Sequence, residues 1–155
     1  MFEKEPRWYR QLIADLKRHE GCLLKPYKDT VGVWTIGYGH TKGVKQNSKP
    51  ITEEEALDLL VDDTEIAIED ARRVVASFDG LDWVRKTVVA NMAYNLGGKR
   101  LSGFHNTINY INNGEYNSAS LNMLASRWAK QVKGRATELA LRMGTGVVQD
   151  KHKVE

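Results

Sequence analysis

At 155 residues the chain has the length of one domain, or of two small lobes sharing an element, and it can bury a core without covalent staples. Hydrophobic residues at 41% and charged ones at 28% exclude intrinsic disorder, and one cysteine, Cys22, excludes an intrachain disulfide and suits a reducing compartment. The net charge of +3 favours an anionic partner, whether cell wall, nucleic acid or an acidic membrane surface.

The opening segment MFEKEPRWYRQLIADLKRHEG mixes acids, bases and Pro6 where a secretory signal needs an apolar stretch, so no export signal is expected. From Trp8, the positions Trp8, Leu12, Ile13 and Leu16 keep helical spacing, and Gly21 is a natural stop. Glu20 is thereby placed at a helix end. Between Cys22 and His40, the strand formers Tyr27, Val31, Val33, Trp34, Ile36 and Tyr38 are interrupted by Asp29-Thr30 and three glycines, the pattern of a small antiparallel sheet with tight turns.

A polar loop, TKGVKQNSKP, ends at Pro50, and Thr52 with Glu55 three residues later forms a capping-box signature. Ala56, Leu59, Leu60, Ile66, Ala67, Ala71, Val74 and Val75 then predict one long helix to about Ala76, fit to join two lobes. Beyond Gly80 the pattern is helical throughout: about Asp82 to Leu96, Ser102 to Asn112, Ser118 to Lys130 and Gly134 to Met143. The closing GTGVVQDKHKVE reads as an extended or mobile tail. Arg127, Lys130, Lys133, Arg135, Arg142, Lys151 and Lys153, against Glu138, Asp150 and Glu155, put the positive field at this end.

The string HEGCLLKPYKDTVGVWTIGYGH, from His19 to His40, carries the chemistry. It combines a Glu-Gly at a helix end, a Tyr-x-Asp ending at Asp29, and a Thr-Ile-Gly-x-Gly-His that closes the sheet. This block resembles the catalytic segment of phage-type lysozymes of glycoside hydrolase family 24. The resemblance continues more loosely through ITEEEALDLLVDD, NMAYNLGGKRLSGFHN and SRWAKQVKGRA. It implies an α+β, mostly helical fold: a small lobe with a three-stranded antiparallel sheet, joined by a long helix to an all-helical lobe. The expected boundaries are about 18–51, 52–77 and 78–155, with the N-terminal helix 7–20 packed on the helical lobe.

Hydrolysis of a glycosidic bond needs an acid for the leaving oxygen and a carboxylate that activates water or attacks the sugar. Glu20 and Asp29, on a helix end and a turn, supply two carboxyls with separate environments, and Glu20 is expected to be the one held protonated. The resemblance implies inversion, with Asp29 acting through a water that Thr35 positions, and hence carboxyls roughly 6.5–9.5 Å apart instead of the ~5–5.5 Å of a retaining pair. It also implies that Arg135 crosses to Glu20, orienting it and tying the lobes together. Asp63 falls on the apolar face of the long helix, where a carboxylate needs a partner; His40 is the candidate, and a His-Asp pair at these positions is what the resemblance implies. Substrate contacts are expected from Gly39 and His40 on one wall and Tyr94, Asn95 and Phe104 on the other, with Trp128 packed beneath; Tyr94 and Phe104 serve equally well as core residues.

His19 and Cys22 give at most two local metal ligands, and His40, His105 and His152 show no HExxH or paired CxxC spacing, so neither metal nor cofactor is expected and Cys22 reads as a small buried thiol. Two other readings remain at this point: a zinc amidase cutting the peptide stems, motivated by the histidines and Cys22, and a helix-turn-helix that grips nucleic acid through the basic segment Ser118 to Arg142. The family reading predicts an endolysin: a monomer whose partner is bacterial peptidoglycan, with no nucleic acid and no membrane insertion. It would hydrolyse the β-1,4 bond between N-acetylmuramic acid and N-acetylglucosamine, reaching the wall from the host cytoplasm after a holin opens the membrane, and so lyse the host cell. Whether products are hydrolysed or cyclised stays open.

Overall fold

The structure, a computed structural model, describes residues 2–155. Helix α1 (Arg7–Glu20) buries Leu12, Ile13 and Leu16 of the stripe predicted by its period, with Tyr9 in place of the half-buried Trp8, together with the polar Gln11 and Asp15. It stops where Gly21 takes φ 65°, a conformation open to glycine, while the Gly21 N–H still closes on the Lys17 carbonyl at 3.1 Å. Strands β1 (Leu23–Lys28) and β2 (Trp34–Gly37) pair antiparallel, with Tyr27 opposite Thr35 and Lys28 opposite Trp34. The register slips between Leu23 and Tyr27, where Pro26 has no N–H to give the ladder.

The sheet has two strands and not the expected three. Gly37 and Gly39, at φ 63° and 75°, fold the chain so tightly that the third segment contributes a single bridge, His40 to Ile36. Val31 and Val33 are likewise not core strand residues: they flank the turn at Gly32 and are 80% and 43% exposed.

Helix α2 (Glu53–Val74) opens on a complete Thr52/Glu55 capping box, with three glutamates in its first turn and Arg72 and Arg73 in its last, matching the helix dipole at both ends. Ile66, read as part of its apolar face, is 52% exposed and lies at the rim of a groove. Helix α3 (Trp83–Leu96) is buried on nearly every side, Val84, Val88, Val89, Ala90, Met92 and Ala93 among its core residues, so the others pack around it. Asp82 caps it and Gly97 ends it.

Of the three remaining expected helices, the first two are shortened or split. Gly103 and Phe104 separate α4 (Gly98–Ser102) from α5 (His105–Asn112). The helix expected from Ser118 to Lys130 is two, α6 (Tyr116–Leu124) and α7 (Arg127–Val132), because the Ser126 hydroxyl accepts from the Ala129 N–H and starts a new helix. Helix α8 (Gly134–Thr145) adds Ala136, Leu139, Ala140 and Met143 to the core that α1, α2 and α3 share. The tail is docked: Val148 is buried and the Val154 N–H donates to Gln11 Oε1 at 2.8 Å. Among the described residues no helix is long and apolar enough to cross a membrane.

Candidate active site

Glu20 is the last residue of α1, and the strand that follows Gly21 leads directly into the turn holding Asp29. Across the groove Arg135, in the first turn of α8, donates from Nη1 to Glu20 Oε2 at 2.8 Å. Both side chains are largely buried, 10% and 17% exposed. The other oxygen, Oε1, faces Gly39, where an added Cβ would stand 2.4 Å from it. One oxygen is therefore held by a cation, and the other sits against a position with no side chain.

Asp29 shapes its own turn. Its Oδ1 accepts from the Val31 and Val33 N–H groups at 3.0 and 2.8 Å, which leaves Oδ2 outside the turn's hydrogen bonding. Thr35 is 2% exposed and donates its hydroxyl to the Val33 carbonyl at 2.9 Å, so the oxygen's lone pairs remain as acceptors.

Glu20, Tyr27, Asp29, Thr35, Gly39, Thr41, Tyr94 and Asn95 line one cavity of about 180 Å³. The structure thus brings together the three expected catalytic residues and three of the five expected wall residues. Tyr94 donates its hydroxyl to the Tyr38 carbonyl at 2.5 Å, tying α3 to the sheet segment. Burial, together with the negative charges of Asp63 and Glu20, pushes the Tyr94 phenol far above its ordinary range, so it stays a neutral donor. Tyr27 is raised for the same first reason, burial, with Glu20 and Asp29 adding to it. Asn95, which lines the cavity, accepts from the Trp128 indole N–H at 2.7 Å, which engages its amide oxygen.

His40 lies one step along. It lines a neighbouring cavity of about 180 Å³ that shares Gly39, Thr41 and Tyr94 with the first. Its Nδ1 is 2.7 Å from Asp63 Oδ2 and its Nε2 is 3.0 Å from the Lys42 carbonyl. Phe104 does not reach Glu20's cavity; it meets Trp128 edge to face at 6.2 Å and lines a separate cavity of about 490 Å³ with Trp128, Asn122 and Gln131. Cys22 is half-buried and not fully covered, with the Tyr38 hydroxyl against it.

Three lining or supporting residues escaped the sequence reading. Tyr27 was a strand former and the Tyr of the Tyr-x-Asp motif but was given no role at the site; Thr41 follows the motif directly; Asn91 is one helical turn before Asn95 on α3. Asn91 accepts at Oδ1 from Arg135 Nε at 3.0 Å. Among the described residues no group of three or more His, Cys, Asp or Glu side chains is arranged to hold a metal ion.

The chain is 29% identical to the probable T4-type lysozyme 2 of Dictyostelium discoideum, over 87% of its own length and 94% of that protein's. It is 31% identical to the endolysin of Acyrthosiphon pisum secondary endosymbiont phage 1, over 80% and 82% of the two lengths. It is also 27% identical to the pre-baseplate central spike protein Gp5 of Enterobacteria phage T4, matching 84% of this chain but 27% of that one. Since the model of the family described as phage lysozyme matches residues 17–143, a stretch that includes every residue of the cavity at Glu20, the chain belongs to the phage lysozyme family and is a lysozyme-type hydrolase.

Proposed function

We propose that the protein is an endolysin that hydrolyses the β-1,4 bond between N-acetylmuramic acid and N-acetylglucosamine with inversion, and that Glu20 is its general acid. The observation that carries this reading is the Glu20 carboxyl itself: Oε2 held by Arg135, Oε1 turned to Gly39, and Asp29 and Thr35 on the same cavity wall. Glu20 gives its proton to the leaving glycosidic oxygen. Asp29, whose Oδ2 the turn does not use, draws a proton from a water that the Thr35 oxygen helps to hold, and that water attacks the anomeric carbon from the opposite face. Gly39 and His40 on one side, Tyr94 and Asn95 on the other, bind the sugar rings, with Asn95's NH₂ directed to an acetamido or hydroxyl oxygen. Phe104 and Trp128 extend binding along the strand through the larger cavity.

The division into an α/β lobe at about 18–51, a linking helix at 52–77 and a helical lobe at 78–155 fits a groove open to a long glycan. The biological setting follows from the same reading: a monomer, made in the host cytoplasm, that meets peptidoglycan after a holin opens the membrane.

Purified peptidoglycan digested with the wild-type protein, followed by mass spectrometry and by NMR of the newly formed anomeric centre, tests the reaction. Reducing muropeptides of inverted configuration are expected. Anhydro ends would make the enzyme a lyase, retained configuration would remove Asp29's proposed role, and free peptides would make it an amidase. Glu20→Gln keeps the shape and removes the proton donor, so lysis should vanish while the melting temperature stays near that of the wild type; retained turnover overturns the assignment.

A further inference from the structure

His19 and Glu20 are neighbours in sequence, yet among the described residues their side chains are linked by a chain of contacts through two other helices. Glu20 Oε2 accepts from Arg135 Nη1 at 2.8 Å; Arg135 Nε donates to Asn91 Oδ1 at 3.0 Å; Asn91 Nδ2 stands 3.1 Å from His19 Nδ1. On its far side His19 Nε2 lies 3.1 Å from Glu138 Oε1. Helix α8 therefore presents a cation to Glu20 and, three residues later, an anion to His19.

The donors in this ring fix its protonation pattern. A guanidinium Nε can only donate, so the Asn91 atom facing Arg135 is the oxygen and the one facing His19 is the NH₂. His19 Nδ1 must then accept, and a neutral imidazole carries its hydrogen on Nε2, aimed at the acceptor-only carboxylate of Glu138. The side chain is 7% exposed, so water does not substitute freely for either bond. The charged groups around it are disposed to keep Glu138 an acceptor. Arg18 donates to Glu138 at 2.8 and 2.9 Å; its Nη1, also a donor, lies 3.3 Å from His19 Nε2, farther than the Glu138 Oε1 that both nitrogens share at 2.8 and 3.1 Å, so each directs a hydrogen to the carboxylate and not to the other. Arg142 donates to Oε2 at 2.9 Å, His152 Nε2 stands 3.7 Å from Oε1, and Asp15 ties the two arginines together. A hydrogen on Nδ1 would set two N–H donors against each other and turn the Asn91 amide, bringing its NH₂ to face the Arg135 Nε.

We infer that His19 is a positioning residue for the reaction: as a neutral Nε2–H imidazole clamped by Glu138, it orients the Asn91 amide, which holds Arg135 and so the Glu20 carboxyl in the groove. This inference rests on the reading of Glu20 as the acid. A carboxyl released from that hold loses the alignment that proton transfer to the leaving oxygen needs, which lowers kcat and leaves sugar binding alone.

Two measurements test it. Nitrogen-resolved NMR of the wild-type imidazoles at neutral pH, with the His19 signals identified by their loss in His19→Gln, should show hydrogen on Nε2 and a bare Nδ1. Asn91→Asp replaces the donor facing Nδ1 by an acceptor and should place hydrogen on Nδ1. A wild-type His19 protonated at Nδ1, or an unchanged spectrum in Asn91→Asp, overturns the inference without any assay of turnover. In kinetics on peptidoglycan, His19→Leu should lose about tenfold in kcat at unchanged KM, while His19→Gln, which again offers one acceptor and one N–H donor, recovers most of it. Equal kcat in His19→Leu and wild type overturns the inference. Failure of the muramidase reading looks different, since the wild type itself would then release no reducing ends.

Discussion

At the scale of single residues, the most exacting position is one with no side chain. Gly39 holds φ 75°, where a Cβ is strained whatever surrounds it, and the added carbon would also stand 2.4 Å from Glu20 Oε1. The strain alone costs roughly 1–2 kcal/mol, a small part of a domain's stability. With Glu20 as the proposed acid, displacing its carboxyl should cost far more in rate. Gly39→Ala should therefore lower the melting temperature by only a few degrees and kcat by about a hundredfold, a split read by calorimetry beside turnover. Arg135 should behave differently because it is one half of a mostly buried ion pair. Arg135→Ala leaves Glu20 buried without its partner and should cost about 3 kcal/mol as well as rate. Arg135→Lys keeps the charge but loses the fork that spans Glu20 and Asn91, so stability should recover more than turnover. An Arg135→Ala protein with unchanged melting temperature and turnover would sink this account.

At the scale of elements, what could be read from sequence was whatever the chain settles locally. The α1 stop at Gly21 and the α2 start at Thr52 rest on contacts within four residues, and Glu20, Asp29 and Thr35 lie in one block whose turn is made by Asp29's own carboxyl. Where tertiary geometry decides, the reading ran out. The third strand shrank to one bridge because two positive-φ glycines turn the chain too sharply to extend pairing, and Ser126 broke a helix that apolar spacing alone would have continued. Asn91 meets His19 across 72 positions, a contact no local pattern encodes. The Asp63 partner lay between these limits: burial required one, and His40 is it, at 2.7 Å. Both His40 nitrogens face acceptors, so this ring joins the sheet's last bridge to the middle of α2. Asp63→Asn retains an acceptor and loses the charge; with the pair 14% and 23% exposed it should cost about 1 kcal/mol, a melting shift of roughly 2–4 °C. A double cycle with His40→Gln should recover most of that loss as a coupling between the two.

At the scale of the whole molecule, the chain's two ends are joined behind the groove by buried charge. Asp15 and Arg18 of α1 meet Glu138 and Arg142 of α8, and Gln11 reaches the tail through the His152 carbonyl and Val154 N–H. Burial would raise the Glu138 proton affinity, but hydrogen bonds from Arg18 and His19 and the charge of Arg142 outweigh it and hold the carboxyl well below the ordinary 4.5. In the unfolded chain the same carboxyl takes up its proton near that ordinary value, so over the interval beneath it the unfolded state binds more protons and folding weakens as pH falls. The stabilisation is complete above about pH 4.5 and drains away toward the depressed native value. Wild-type melting temperature should accordingly fall steeply below pH 4.5. Glu138→Gln should be less stable at neutral pH, since Arg142 and Arg18 lose their anion, yet its melting temperature should change less through the acid range, so the two curves converge. Parallel curves would show that Glu138 is not what couples α1 and α8 to pH.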